Sequence, residues 1–190
     1  RDGTLNREQS FVCRPEDLVV LDGVRDALAR LDAAGYQLVV VTNQSGVARG
    51  LYDEATLARI HARLHAELDG LPRAYLHCPH HPEPQLSRSG YAGPCPCRKP
   101  ADGLLRQADR LMRVDWTRSF VVGDAARDLL MARDWPVRRV LVRCGKDWRE
   151  QCSALERAQC EPDRICDDLA AAASWILSCP SAGAERAPGR

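Results

Sequence analysis

Apolar positions recur along this chain with two alternating periods. Val24, Leu28 and Leu31 repeat at the spacing of one helix face, and Gly35 follows as a left-handed stop. Residues 36–42 then form an apolar run rich in β-branched side chains, which predicts a strand buried on both faces. Asp53 is placed to cap a helix whose apolar stripe is Leu57, Ile60, Leu64 and Leu68. The alternation continues with a short strand over 73–77, a helix over 103–112 and a strand over 119–122. A helix over 126–133, a strand over 138–142 and a last helix over 169–177 complete it. Residues 79–96 hold Pro and Gly without a period and read as an irregular loop. From Ser178 the pattern gives way to Pro, Gly, Ala and charge, predicting a single domain over 1–177 and a disordered tail over 178–190. Such alternation predicts an α/β fold, a Rossmann-like parallel sheet covered by helices.

Composition narrows the reading. A chain of 190 residues, 45% hydrophobic, holds one full core and is short for two. Lys+Arg 27 against Asp+Glu 26 gives a net charge of +1, and no electrostatic case for nucleic acid or a membrane surface. The longest apolar runs, such as Leu38-Val39-Val40-Val41, have strand length and cannot span a bilayer. No secretory leader pattern is visible in these residues. Nine cysteines suit either disulfides or a metal site. Cys78, Cys95 and Cys97 cluster with histidines at ligand spacing, while the other six scatter, which favours one metal site in a reducing compartment.

The chemistry collects at predicted strand ends, where open α/β sheets bind ligands. Arg1-Asp2-Gly3-Thr4 is the back half of a phosphate-transfer signature, Asp-x-Asp-Gly-Thr. A carboxylate nucleophile forms an aspartyl-phosphate, and a carboxylate two residues on protonates the leaving oxygen and then activates water. Asp2 holds that second position; the first lies one residue before Arg1. Alone, the triplet reads equally as a solvated turn, and the remaining motifs raise its weight.

Thr42, Asn43, Gln44 and Ser45 follow the buried strand with a hydroxyl, amides and free backbone N–H groups suited to phosphoryl oxygens. Lys99 would keep a nucleophile ionised, and the planar fork of Arg98 suits a second anionic group. Asp124 ends a strand, where a buried carboxylate calls for a cation; Mg²⁺ takes oxygen ligands and accompanies phosphoryl transfer. Asp128, one turn on, is placed to support it. Cys78, His80, Cys95 and Cys97 match a closed tetrahedral zinc site of three sulfurs and one imidazole, with His81 and then His77 competing for the imidazole place.

Together these motifs resemble the haloacid-dehalogenase-like phosphatase superfamily, and within it the heptose bisphosphate phosphatases. The resemblance runs from Arg1 to about Lys146; residues 42–50 and the Cys-Pro-His-His-Pro to Cys-x-Cys-Arg-Lys-Pro stretch are its most specific parts. It implies a Rossmann-like sheet without a large cap domain, bordered by the zinc loop over 78–97. It further implies Mg²⁺ and Zn²⁺ as cofactors, and catalytic roles for Asp2, Thr42 and Lys99. Asp2 is the proton donor and, through its backbone carbonyl, a Mg²⁺ ligand beside Asp124. Thr42, Asn43, Gln44, Ser45, Arg98 and Lys99 fall to substrate binding, and residues 8–11 match weakly a stretch that touches substrate. A monomer in the cytoplasm is expected, acting on a sugar phosphate for nucleotide-activated heptose, without nucleic-acid or membrane partners.

Two departures stand out. The nucleophile and the central strand carrying it would precede Arg1, so both are expected to be missing here and the chain, as written, inactive. Ala125 stands where the family usually has lysine. A histidinol-phosphate phosphatase is the nearest rival, resembling Asp-Gly-Leu-Gly where this chain has Ser45 to Gly50. A non-catalytic, zinc-stabilised sugar-phosphate-binding domain is the rival of another class.

Overall fold

The computed structural model describes residues 1–87 and 90–180. β1 (Val39–Asn43) and β2 (Ala74–Cys78) pair in parallel, with Val41 opposite Leu76 and Thr42 opposite His77. β3 (Phe120–Gly123), β4 (Arg138–Val142) and β5 (Arg164–Cys166) form a second parallel set in that order, with Val122 opposite Val140. Among the described residues no ladder joins β1 to β3, so the expected sheet falls into two pieces. The helices are α1 (Val24–Ala33), α2 (Glu54–Glu67), α3 (Gly103–Leu111), α4 (Ala126–Leu130), α5 (Trp148–Arg157) and α6 (Leu169–Ser178). None of the described helices is long and apolar enough to cross a membrane.

Burial on two faces explains the unbroken apolar strands. Val40 joins the cluster of α1, α2 and α6, while Val39 and Val41 pack with Leu104, Leu105 and Ala108 of α3 on the opposite side. β3 alternates in the same way, Phe120 and Val122 toward the first layer and Val121 toward the second. Successive strand side chains point to opposite faces, so a covered sheet needs apolar residues at each step. Ile60 and Leu64 of α2 and Leu104 of α3 are fully buried. Burying each contributes about 1.5–3 kcal/mol.

The element boundaries shift slightly from the pattern. β1 begins at Val39 because its ladder partner begins at Ala74; Leu38 only accepts a bond from the Arg73 N–H. α4 stops at Leu130, after which tight turns such as Ala132 N–H to Leu129 O carry the chain onward. α5 and β5 are additions. Asp147 caps α5 by accepting from the Arg149 N–H at 2.9 Å, and β5 has only three residues, too few to display a period. The predicted tail begins inside α6, which runs through Ser178, and residues 181–190 lie outside the described residues. Among the described residues, 79–102 is the long connection expected, holding one short turn over Pro84–Leu86.

Candidate active site

The first residues fold into a tight loop at the C-terminal ends of β1 and β3. The Leu5 N–H bonds the Arg1 carbonyl at 2.8 Å and the Gly3 N–H bonds Asn6 O at 2.8 Å. Gly3 has φ +76°, and a Cβ there would fall 2.3 Å from the Asp124 carboxylate; one on Gly145 would fall 2.1 Å away. These two glycines let the backbone close around Asp124.

Asp2 is heavily hydrogen-bonded. Its Oδ1 accepts from Arg1 at 2.7 and 3.0 Å and from Asn6 at 2.9 Å, and its Oδ2 accepts from Gln44 Nε2 at 2.9 Å. Burial opposes its ionisation, but the Arg1 guanidinium and these hydrogen bonds outweigh burial and hold the carboxyl well below its usual range. The Gln44 amide is buried. Its Nε2 also donates to Thr42 Oγ1 at 2.8 Å, and its Oε1 accepts from the Tyr52 hydroxyl at 2.8 Å. Thr42 thus receives a bond on its oxygen and keeps its own hydrogen for a ligand. Gly46 lets the Tyr52 ring approach, since a Cβ there would meet that ring at 2.3 Å.

Lys99 is fixed from three directions. The Asn43 amide clamps its backbone, accepting from its N–H at 3.0 Å and donating to its carbonyl at 3.1 Å. Lys99 Nζ donates to Val41 O at 3.0 Å and lies 2.6 Å from Asp128 Oδ1. Asp128 also caps α4, its Oδ2 accepting from the Ala125 N–H at 3.1 Å. Burial raises the Asp128 carboxyl, but the Lys99 charge more than reverses that and keeps it low. Asp124 goes the other way, raised by burial and by the Asp128 charge, and among the described residues accepts only from the Lys146 N–H at 3.1 Å. A buried carboxylate so weakly compensated is one that a cation could stabilise.

All nine predicted acid, base and substrate residues line or underlie one cleft of about 190 Å³: Asp2, Thr42, Asn43, Gln44, Ser45, Arg98, Lys99, Asp124 and Asp128. Glu8, Gln9, Ser10 and Phe11, the stretch matched weakly from sequence, also line it, and the structure adds Arg1, Val12, Tyr52, Arg127 and Lys146. Two roles differ from expectation in kind. The Asn43 and Gln44 side chains are committed to Lys99, Asp2, Thr42 and Tyr52, and so position the machinery. Tyr52 carried no separate sequence signal. Arg127 lies between Asp124 and Asp128, but only the fold brings it to the cleft.

The metal-ligating cluster forms beside the cleft. Sulfurs of Cys78, Cys95 and Cys97 and Nδ1 of His80 lie within 4.8 Å of one another, with neighbouring edges of 3.4 to 3.7 Å. A tetrahedron built on bonds of about 2.3 Å has edges near this length. His81 is engaged elsewhere, its ring facing Arg49 at 2.8 Å and accepting from the Glu83 N–H, and His77 lies near Glu54. That settles the choice among histidines for His80. The cluster's loop is stitched to the site, since Arg98 donates to His80 O at 3.0 Å and the Gln44 N–H to Cys78 O at 2.7 Å.

Known proteins resemble this chain in sequence and fold. Residues 96–172 match the HAD-hydrolase-like family model. The D-glycero-beta-D-manno-heptose-1,7-bisphosphate 7-phosphatase of Pseudomonas aeruginosa is 38% identical over 181 residues, 93% of this chain and 94% of that protein. A Haemophilus ducreyi protein of the same name is 41% identical over 152 residues, 77% of this chain and 81% of its own length. The crystal structure of D,D-heptose 1,7-bisphosphate phosphatase from B. bronchiseptica, complexed with magnesium and phosphate, superposes with TM-score 0.77 at 38% identity, covering 93% and 94% of the two chains. Relatedness this close over nearly the whole length makes the chain a member of the heptose bisphosphate phosphatase family of haloacid-dehalogenase-like phosphatases.

Proposed function

We propose that this protein removes the 7-phosphate of D-glycero-beta-D-manno-heptose 1,7-bisphosphate by Mg²⁺-dependent phosphomonoester hydrolysis. The observation that carries it is the pairing of a buried, weakly compensated Asp124 with Lys99, Thr42 and Asp2 around one cleft. Relatives named for that reaction, at 37% to 41% identity, support the substrate.

The oxygen-rich floor fits Mg²⁺, which is hard and prefers carboxylate and carbonyl ligands. Asp124 and the Asp2 carbonyl would hold it, and when bound it neutralises charge on the phosphoryl oxygens. Lys99 and the Thr42 hydroxyl face the same oxygens. The resemblance puts the attacking carboxylate one residue before Arg1, on a strand that would enter between β1 and β3. The two-piece sheet and the Arg1–Asp2 loop at the ends of both pieces support that placement. Its oxygen forms a bond to phosphorus as the bond to the sugar oxygen breaks, and Asp2 hands that oxygen a proton. Water then attacks phosphorus, Asp2 takes its proton, and the acyl phosphate cleaves to carboxylate and inorganic phosphate. Asp2 is ionised in the free site, ready for the second half; an entering phosphate dianion opposes that ionisation and favours the protonated form the first half needs.

We further propose that Cys78, His80, Cys95 and Cys97 hold a structural zinc. The donor set is closed, and Arg98 and Lys99 follow Cys97 directly, so the metal would fix the loop that presents them.

The test is phosphate release from the heptose bisphosphate and from histidinol phosphate, with the 190 residues preceded by an apolar strand ending in Asp or in Asn. Release with Asp, none with Asn, and preference for the bisphosphate are expected. A chain beginning at Arg1 that works equally well refutes the nucleophile assignment, and a preference for histidinol phosphate refutes the heptose reading.

A further inference from the structure

Nine charged side chains line the cleft, and six of them neutralise one another. Arg1 pairs with Asp2 at 2.7 Å, Lys99 with Asp128 at 2.6 Å and Lys146 with Glu8 at 3.0 Å. Three remain: Asp124, Arg98 and Arg127. Asp124 lies on the floor and awaits a cation. The two arginines therefore leave the cleft with positive charge that is held in no ion pair among the described residues.

Their settings differ usefully. Arg98 is half-buried and tethered through one Nη to His80 O at 3.0 Å, which leaves most of its donors unused. Arg127 sits on the first turn of α4, where its backbone neighbours are held by the Asp128 cap and by Gln151, which accepts from the Ala126 N–H at 2.9 Å. Its guanidinium is exposed, with no hydrogen bond or ion pair among the described residues. Both arginines line the same cleft.

We propose that Arg127 is a specificity-determining residue which, beside Arg98, binds the phosphate of a sugar bisphosphate that is not being hydrolysed. This rests on the bisphosphate reading above. Lys99, Thr42 and Asp124 serve the reacting phosphate on the floor, while Arg98 comes from the loop after the cysteines and Arg127 from the first turn of α4, so a second phosphate would bridge them. An exposed arginine is ordinarily a solvated surface group. Arg127 is set apart by lining a cleft whose other cations, Arg98 excepted, are already paired.

The probes are heptose 1,7-bisphosphate and heptose 7-phosphate, titrated calorimetrically into the protein with Mg²⁺ present. Arg127→Ala should weaken the bisphosphate about tenfold and the 7-phosphate less than about twofold. Arg127→Lys should recover part of the loss, and Arg127→Glu should lose more than the alanine variant, with unchanged circular dichroism in all three. Equal losses on both probes place Arg127 at the reacting phosphate and overturn the proposal, as does no loss on the bisphosphate. Unsubstituted protein that binds neither probe overturns the subsite together with the reading it rests on.

Discussion

Asp128→Asn isolates the Lys99–Asp128 pair with little change in shape. The two side chains are only 7% and 11% exposed, and the charged atoms stand 2.6 Å apart. Asparagine keeps the volume and an oxygen for the Ala125 N–H, so the α4 cap survives while the negative charge goes. Lys99 is then left buried, with Val41 O as its remaining acceptor. Removing one partner of a buried pair costs about 3–5 kcal/mol, because the other charge is stranded. Since the pair opens onto a cleft that water can enter, the lower end, about 3 kcal/mol, is expected. With a urea slope of about 2 kcal/mol/M, the unfolding midpoint should fall by about 1.5 M at pH 7. Lys99→Met alone should cost a similar amount, and the double variant should cost about 3–4 kcal/mol rather than the additive value of about 6, giving a coupling of about 2–3 kcal/mol. A midpoint shift under about 0.3 M for Asp128→Asn, or strictly additive losses, would show that the pair is not a buried charge pair in solution.

Three further outcomes follow from the same geometry. Elemental analysis should find one zinc per chain, and Cys95→Ala should lower that content and expose the 78–97 loop to protease; no zinc, or unchanged content, refutes the site. Arg98→Ala should reduce turnover of the bisphosphate by about 1.5–3 kcal/mol in kcat/KM and a simple phosphomonoester by much less, whereas equal losses remove Arg98 from recognition. His61 is stacked on Tyr75 at 5.1 Å, its Nε2 has no partner among the described residues, and burial pushes its pKa from 6.5 to about 3. Its neutral form is favoured by folding, so its contribution is full above pH 6.5 and is lost as pH falls toward 3. Between pH 7 and 5 the loss is about 2 kcal/mol by urea unfolding, and His61→Phe should flatten that slope; an unchanged slope refutes it.

The sequence made the layers legible because both-face burial writes itself plainly. Val39, Val40 and Val41 serve alternate faces, so no polar residue interrupts them, and Leu57, Ile60 and Leu64 recur at helical spacing. α5 was hidden because its single fully buried residue, Leu155, gives no stripe, and β5 because three residues hold no period. Site membership was equally legible, since each predicted residue reaches the cleft or the metal cluster. Roles were less so. Whether an amide faces a ligand or a neighbour depends on contacts between loops far apart in sequence. Asn43 grips Lys99 across 56 positions, and Gln44 meets Asp2 across 42.

Charge explains why those long-range grips are needed. A cleft that receives a phosphate must carry cations, yet unpaired buried cations destabilise the fold around them. The structure separates the two demands by depth. Lys99, an enclosed cation, is paired with Asp128, and Asn43 holds its backbone in place. Arg98 and Arg127, nearer solvent, are left uncompensated where water lowers the cost of waiting for an anion. On the floor the sign is reversed, with Asp124 raised by burial and by the Asp128 charge. The buried Lys99–Asp128 pair therefore has two consequences from one contact. It holds a lysine charged at the floor of the cleft, and it raises the neighbouring Asp124 carboxyl.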